Sequence, residues 1–140
     1  MKAINREFSE VFIGQEMRFD LTVTRQLVRE FANLSGDYNP LHVDETFAAR
    51  TLFKECVAHG MLGGAFFSRL VGMHLPGSRS LYLSQSLNFR KPIYLNTEIV
   101  VSGKVVGKSD FRNTVNMAME IIDKQTGGTL IDGEALVKIL

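Results

Sequence analysis

The chain has 140 residues, of which 45% are hydrophobic and 22% are charged, and its formal net charge at pH 7 is +1. These values predict a single folded domain over residues 1–140 and give no reason to expect a nucleic-acid partner or an anionic membrane partner. A single cysteine, Cys56, excludes a disulfide framework within the chain, and the absence of a secretory core or a bilayer-length apolar run favours a reducing cytoplasmic setting.

The first predicted elements are a half-buried strand and a helix. Apolar and polar residues alternate through the strand, and its apolar face consists of Met17, Phe19, Leu21 and Val23. Thr24 is a suitable N-cap for the helix that follows, whose apolar stripe consists of Leu27, Val28, Phe31 and Leu34. Gly36 is expected to end this helix, because glycine readily adopts the left-handed conformation.

The next stretch, 35-SGDYNPLH-42, places a carboxylate and an imidazole five positions apart in a segment that breaks helices; it is called the Asp–His corner below. Asn39 is predicted to cap a short helical turn that begins at Pro40, and the proline keeps Asn39 out of the α region, so the corner should be stiff. Asp37 and His42 could then point at one spot. In the simpler alternative, Asp37 makes hydrogen bonds within its own turn, and His42 is a surface residue without a catalytic role.

A short helix is predicted over 44–50, and a longer one begins at Gly60. The longer helix has almost no polar face, which predicts that it is buried; its apolar positions are Met61, Leu62, Ala65, Phe66, Phe67, Leu70, Val71 and Met73. Gly60 would present an unobstructed N–H at the positive end of the helix dipole, a suitable place for an oxygen that becomes negative during a reaction. The alternative is that Gly60 only turns the chain into the helix.

Two further polar residues near this helix have structural interpretations. His59 is expected to hold the preceding loop through a hydrogen bond. Ser68 either bonds the carbonyl four residues earlier or contacts a ligand, and its surroundings do not form a G-x-S-x-G nucleophile elbow.

The second half of the chain is predicted to form antiparallel strands. One apolar face comprises Leu81, Leu83, Leu87 and Phe89, with Gln85 among them as a structural hydrogen-bonding residue; other strands present Val115, Met117, Met119 and Ile121, then Ile131, Ala135, Val137 and Ile139, with one more strand over 99–106. Short turns with Gly or Asn separate them. The fold class is therefore α+β, with a long antiparallel sheet around one buried helix.

Three stretches, in order along the chain, carry a family resemblance. They are 31-FANLSGDYNPLHVDETFA-48, with the core pattern S/T-G-D-x-N-P-L-H, then His-Gly-Met at 59–61 before the apolar helix, and 81-LYLSQSLNFRKPIY-94. Together they resemble the MaoC-like, or hydratase 2, family of (R)-specific enoyl-CoA hydratases, over nearly the whole chain. A motif with six or more fixed positions is far more specific than an Asp–His pair alone.

This resemblance implies a hot-dog fold and a homodimer with an acyl-thioester tunnel at or near the subunit interface. Asp37 and His42 match the family's acid–base pair, and Gly60 matches the glycine whose N–H polarises the thioester carbonyl. Ser68 matches a serine that polyester-linked members place beside that pair. His59 and Asn39, beside the pair, are further candidates for substrate binding, and Leu62 is a candidate for the tunnel wall.

The implied activity is reversible hydration of a trans-2-enoyl-CoA to the (R)-3-hydroxyacyl-CoA. This chemistry needs no metal, flavin or nucleotide cofactor, and the sequence has no glycine-rich phosphate fingerprint for one. Three alternatives stay open: a dehydratase acting on acyl carrier protein, a thioesterase on the same fold, and a non-catalytic subunit that binds acyl thioesters.

Overall fold

The computed structural model of the protein describes residues 2–140, and its largest element is a six-stranded antiparallel sheet. The spatial order is β1-β4-β5-β6-β2, and β3 also pairs with β6. The strands are β1 (Glu16–Val23), β2 (Ser80–Gln85), β3 (Asn88–Phe89), β4 (Thr97–Ser109), β5 (Thr114–Asp123) and β6 (Thr129–Ile139). This confirms the predicted α+β class and the antiparallel pairing.

Four α-helices accompany the sheet, namely α1 (Arg25–Ser35), α2 (Pro40–Val43), α3 (Glu45–Ala48) and α4 (Gly60–Arg69), and a π-helical segment (Leu70–His74) continues α4. The predicted local signals are present: the Thr24 hydroxyl accepts from the Leu27 N–H, and Gly36 ends α1 with φ at 77°. Within residues 2–140, no helix is long and apolar enough to cross a membrane.

Helix α4 packs closely on the middle of the sheet because it presents glycine there. A Cβ added at Gly63 would lie 2.3 Å from the Ile131 Cδ1, and one added at Gly103 of β4 would lie 2.8 Å from Leu70. Phe67 and Leu70 are fully buried in this contact. The helix start is therefore held at a fixed height over the sheet, and this fixes the position of Gly60.

Two details of burial differ from the sequence predictions in the single chain. Helix α4 is the central helix that the sequence predicts, with Leu62, Phe66 and Phe67 buried, but one face stays open, since Met61 is 58% exposed and Ala65 and Ser68 are exposed as well. On β2, Leu81 and Leu83 face outward while Tyr82 packs against the core. Alternation identifies residues that share a face, but it does not determine which face meets the core.

A third difference concerns α1. Its buried residues are Val28 and Ala32, whereas Leu34, the last residue of the predicted stripe, is 86% exposed. Leu34 lies in the last turn of α1, where the chain leaves the core surface towards the Asp–His corner. The apolar stripe therefore packs only along the first two turns.

Candidate active site

The Asp–His corner folds into the stiff turn that its residues predict. The Asp37 Oδ1 accepts from the Asn39 N–H at 3.1 Å, and the Asn39 Oδ1 in turn accepts from the Leu41 N–H at 3.0 Å. Pro40 occupies the first position of α2, and the His42 N–H donates to the Asn39 carbonyl at 2.9 Å. These local bonds fix where the Asp37 carboxylate and the His42 ring leave the backbone. The Asn39 side chain serves as a cap in this turn.

The protonation of the His42 ring follows from its hydrogen bond. Its Nδ1 lies 2.7 Å from the Val57 carbonyl oxygen, which can only accept, so Nδ1 carries the hydrogen and Nε2 has a free lone pair. Burial lowers the pKa of His42 below its usual 6.5, and the neighbouring His59 acts in the same direction. The ring is therefore neutral at neutral pH and has a nitrogen ready to accept a proton.

His59 links the corner to the start of α4. It is 2% exposed, and its Nε2 lies 2.9 Å from the Asp37 carbonyl oxygen, so Nε2–H donates there. Its ring lies against the His42 ring, with the two centroids 3.9 Å apart. The loop-holding hydrogen bond predicted for His59 is thus present, while the contact with His42 has no signal in the sequence.

Asp37, His42 and His59 converge on one spot. A carboxylate oxygen and one nitrogen from each ring all lie within 4.8 Å of one another, and the Asp37 side chain is 52% exposed. Such donors could in principle hold a cation. The His59 Nε2, however, directs its hydrogen at the Asp37 carbonyl, so the three do not form a set of free ligands. The arrangement suits a carboxylate and an imidazole that share one water.

Gly60 begins α4 immediately after His59, so its N–H has no acceptor within the helix. A Cβ at this position would lie 2.7 Å from the Phe89 ring, so a larger residue here would displace that ring. A cavity of about 440 Å³ opens beside it, lined by Leu41, Phe53, Val57, Ala58, Gly60, Met61, Phe89, Arg90, Lys91, Pro92, Ile93 and Ile131. Its walls are largely apolar, and they include Gly60 at the start of α4 and Leu41, the residue before His42.

Two basic residues at the rim of this cavity differ in their surroundings. Arg90 forms a two-pronged ion pair with Asp132, through Nε at 2.8 Å and Nη2 at 3.1 Å. Lys91 is exposed at the same rim. A phosphate-bearing ligand that reached this rim would therefore meet the Lys91 ammonium more readily than the paired guanidinium.

The remaining predicted residues, Ser68 and Leu62, do not line the cavity beside Gly60. Ser68 is exposed on α4, eight residues beyond Gly60, which corresponds to about 12 Å along the helix axis. Leu62 is buried in the core and does not line the cavity. Sequence reasoning missed Val57 and Phe89, because a backbone carbonyl and a close ring–glycine approach leave no residue-type signature.

The chain is similar over most of its length to proteins of one family. A family model described as MaoC like domain matches residues 9–126. The chain is 38% identical over 127 residues to an (R)-specific enoyl-CoA hydratase from Aeromonas caviae, covering 91% of this chain and 94% of that protein. It is 31% identical to a mitochondrial 3-hydroxyacyl-acyl-carrier-protein dehydratase from Arabidopsis thaliana, covering 88% and 74%.

The fold can be compared with a solved structure as well. The structure of an R-hydratase from Pseudomonas aeruginosa in the unliganded form superposes with a TM-score of 0.91 at 36% identity, covering 96% of this chain and 86% of that one. This similarity confirms the hot-dog fold that the sequence resemblance implied.

The lowered pKa of His42 predicts how stability depends on pH. Between the lowered value and 6.5, the unfolded chain binds the proton more readily than the folded protein, so the free energy of unfolding falls as the pH drops below about 6.5. His42→Gln should show a smaller fall than the wild type. Urea unfolding at neutral pH and roughly one unit below 6.5 measures this.

Burial also lowers the pKa of His74, so His74→Gln should reduce the fall as well, as a separate contribution. An unchanged pH dependence in the His42→Gln variant would contradict the assignment of a buried, neutral His42 ring.

Proposed function

The chain belongs to the MaoC-like domain family, and from this membership we propose that it is an (R)-specific enoyl-CoA hydratase, which adds water reversibly to trans-2-enoyl-CoA. The observation that carries the proposed mechanism is the convergence of the Asp37 carboxylate and the His42 ring within 4.8 Å. A hydro-lyase of this kind needs a base for water and an acid for carbon, and the pair supplies both.

In the proposed reaction, one water lies between the Asp37 carboxylate and the His42 Nε2. The free lone pair on Nε2 lets His42 take a proton as the water oxygen bonds to C3 of the enoyl group. The π electrons of the C2–C3 bond move towards the thioester carbonyl, and the pair then delivers one proton to C2. The elements of one water are added in total.

The charge that develops on the thioester oxygen needs a donor, and Gly60 is proposed to provide it. Its N–H opens the ten-residue helix α4, where the helix dipole adds partial positive charge. His59 donates a hydrogen bond to the Asp37 carbonyl and directly precedes Gly60. This one residue therefore connects the Gly60 N–H to the acid–base pair. The largely apolar cavity beside Gly60 is proposed to receive part of the acyl-thioester substrate.

A homodimer is proposed as the working form. The apolar surface that the single chain leaves open supports it: Leu81 and Leu83 on the edge strand β2 are 47% and 48% exposed, and Met61 on α4 is 58% exposed. An open edge strand with apolar side chains favours pairing with another strand. A partner would also cover the exposed face of α4 that carries Ser68, the position matched to the family serine.

One alternative has specific support. The relative from Arabidopsis thaliana is named as a dehydratase of acyl-carrier-protein thioesters, and the same acid–base pair would serve that reaction in reverse. We expect higher kcat/KM on the CoA thioester than on the carrier-protein thioester of the same acyl group. Initial rates on both carriers measure this, and a preference for the carrier protein would replace the proposed substrate with the alternative.

The catalytic pair is tested by substitution. Asp37→Asn and His42→Ala should each lower the rate of crotonyl-CoA hydration on the order of 10²-fold, because each removes a positioned acid or base. The absorbance of the conjugated thioester follows the reaction.

Glu55→Gln is the control. Glu55 is an exposed carboxylate outside the Asp–His corner, so its substitution should leave the rate unchanged. Near-wild-type turnover by either folded active-site variant would remove the mechanism.

A further inference from the structure

We propose that His59 is a positioning residue that sets both the Asp37 backbone and the His42 ring for reaction, rather than a residue kept for stability. The proposal rests on the hydratase function proposed above. It assigns to one buried side chain two separate contacts, one with each member of the acid–base pair.

The hydrogen-bond balance of the His59 ring argues against a purely stabilising role. Its Nε2–H is satisfied by the Asp37 carbonyl, but its Nδ1 is buried and, among residues 2–140, has no hydrogen-bond partner. Only one of the two ring nitrogens bonds to another described residue, so a purely structural role would leave the second nitrogen unused.

The first contact controls the direction of the Asp37 carboxylate. The Asp37 carbonyl accepts from His59 at 2.9 Å, while its Oδ1 is held by the Asn39 N–H at 3.1 Å. With the backbone fixed on one side and one carboxylate oxygen fixed on the other, the carboxylate is held close to the His42 ring, and one of its oxygens lies within 4.8 Å of a nitrogen of each ring. The side chain is half-exposed, and its Oδ2 also lies 3.9 Å from the His59 Nε2.

The second contact controls the tilt of the His42 ring. The bond from Nδ1 to the Val57 carbonyl fixes one end of the ring, but the ring could still rotate about that bond. The His59 ring closes one face, with a centroid distance of 3.9 Å, and Phe31 supports His59 with a centroid distance of 5.0 Å. The groups that face His42 are thus the His59 ring, the Val57 carbonyl and the Asp37 carboxylate.

Two variants separate the contacts. His59→Phe keeps a flat ring against His42 but removes the donor to Asp37. His59→Gln keeps an amide N–H within reach of the Asp37 carbonyl but removes the ring. Both avoid a large cavity, and His59→Phe also removes the unpaired Nδ1.

For His59→Phe we expect kcat on crotonyl-CoA to fall roughly 10- to 100-fold, the scale for misplaced reacting groups, with KM nearly unchanged and the Tm equal to or above the wild-type value. His59→Gln should recover part of this loss. A kcat within about twofold of wild type in folded His59→Phe overturns the proposal, because a misplaced group costs more than that.

A second readout does not depend on turnover. Burial lowers the pKa of His42, and the His59 ring that covers one face of it acts in the same direction, so NMR titration of His59→Gln should show that pKa raised relative to wild type. An unmoved His42 titration in this variant overturns the proposal even if His59→Phe does not fold. If the wild-type protein is inactive on every enoyl thioester, the proposed hydratase function fails. The His42 titration still tests the contact between the His59 and His42 rings in that case.

Discussion

Two hydrogen bonds from imidazole rings to backbone carbonyls hold the site together. His42 donates to the Val57 carbonyl, and His59 donates to the Asp37 carbonyl, so each histidine ties its own segment to the segment that carries the other. Residues 37–42 and residues 57–59 therefore cannot shift independently. Because both carbonyls can only accept, these bonds also determine which ring nitrogens carry hydrogen, and they leave the His42 Nε2 without one. The same two bonds therefore set the geometry of the site and the protonation of its rings.

The rest of the fold holds these two linked segments in place. The segment before α4 is held against the connection between β3 and β4, since Val57 forms an antiparallel bridge with Tyr94 and the Ala58 N–H donates to the Ile93 carbonyl at 2.8 Å. Helix α4 is set by its close approach to Ile131 at Gly63. A rigid sheet and helix therefore position a site that is itself built on loops and short turns, as reaction chemistry requires.

The sequence predicted the local parts of this structure well. The Thr24 cap, the left-handed Gly36 and the Asn39–Pro40 turn are all present, because each depends on residues within four positions. The buried face of β2 was predicted incorrectly, since burial depends on which partner surface a face meets. The contact between His42 and His59 links positions 17 apart and involves no periodic pattern, so only the folded chain reveals it. The functional roles of Asp37, His42 and Gly60 came from the motif resemblance and stay predictions.

The most direct test of this account is the tautomer of His42 in the folded protein at neutral pH, read from the ¹⁵N shifts of its ring by two-bond ¹H–¹⁵N correlation. The account predicts a protonated Nδ1 and an unprotonated Nε2, because the Val57 carbonyl accepts from Nδ1. A protonated Nε2 beside an unprotonated Nδ1 would contradict it, since Nε2 could then no longer accept a proton from water.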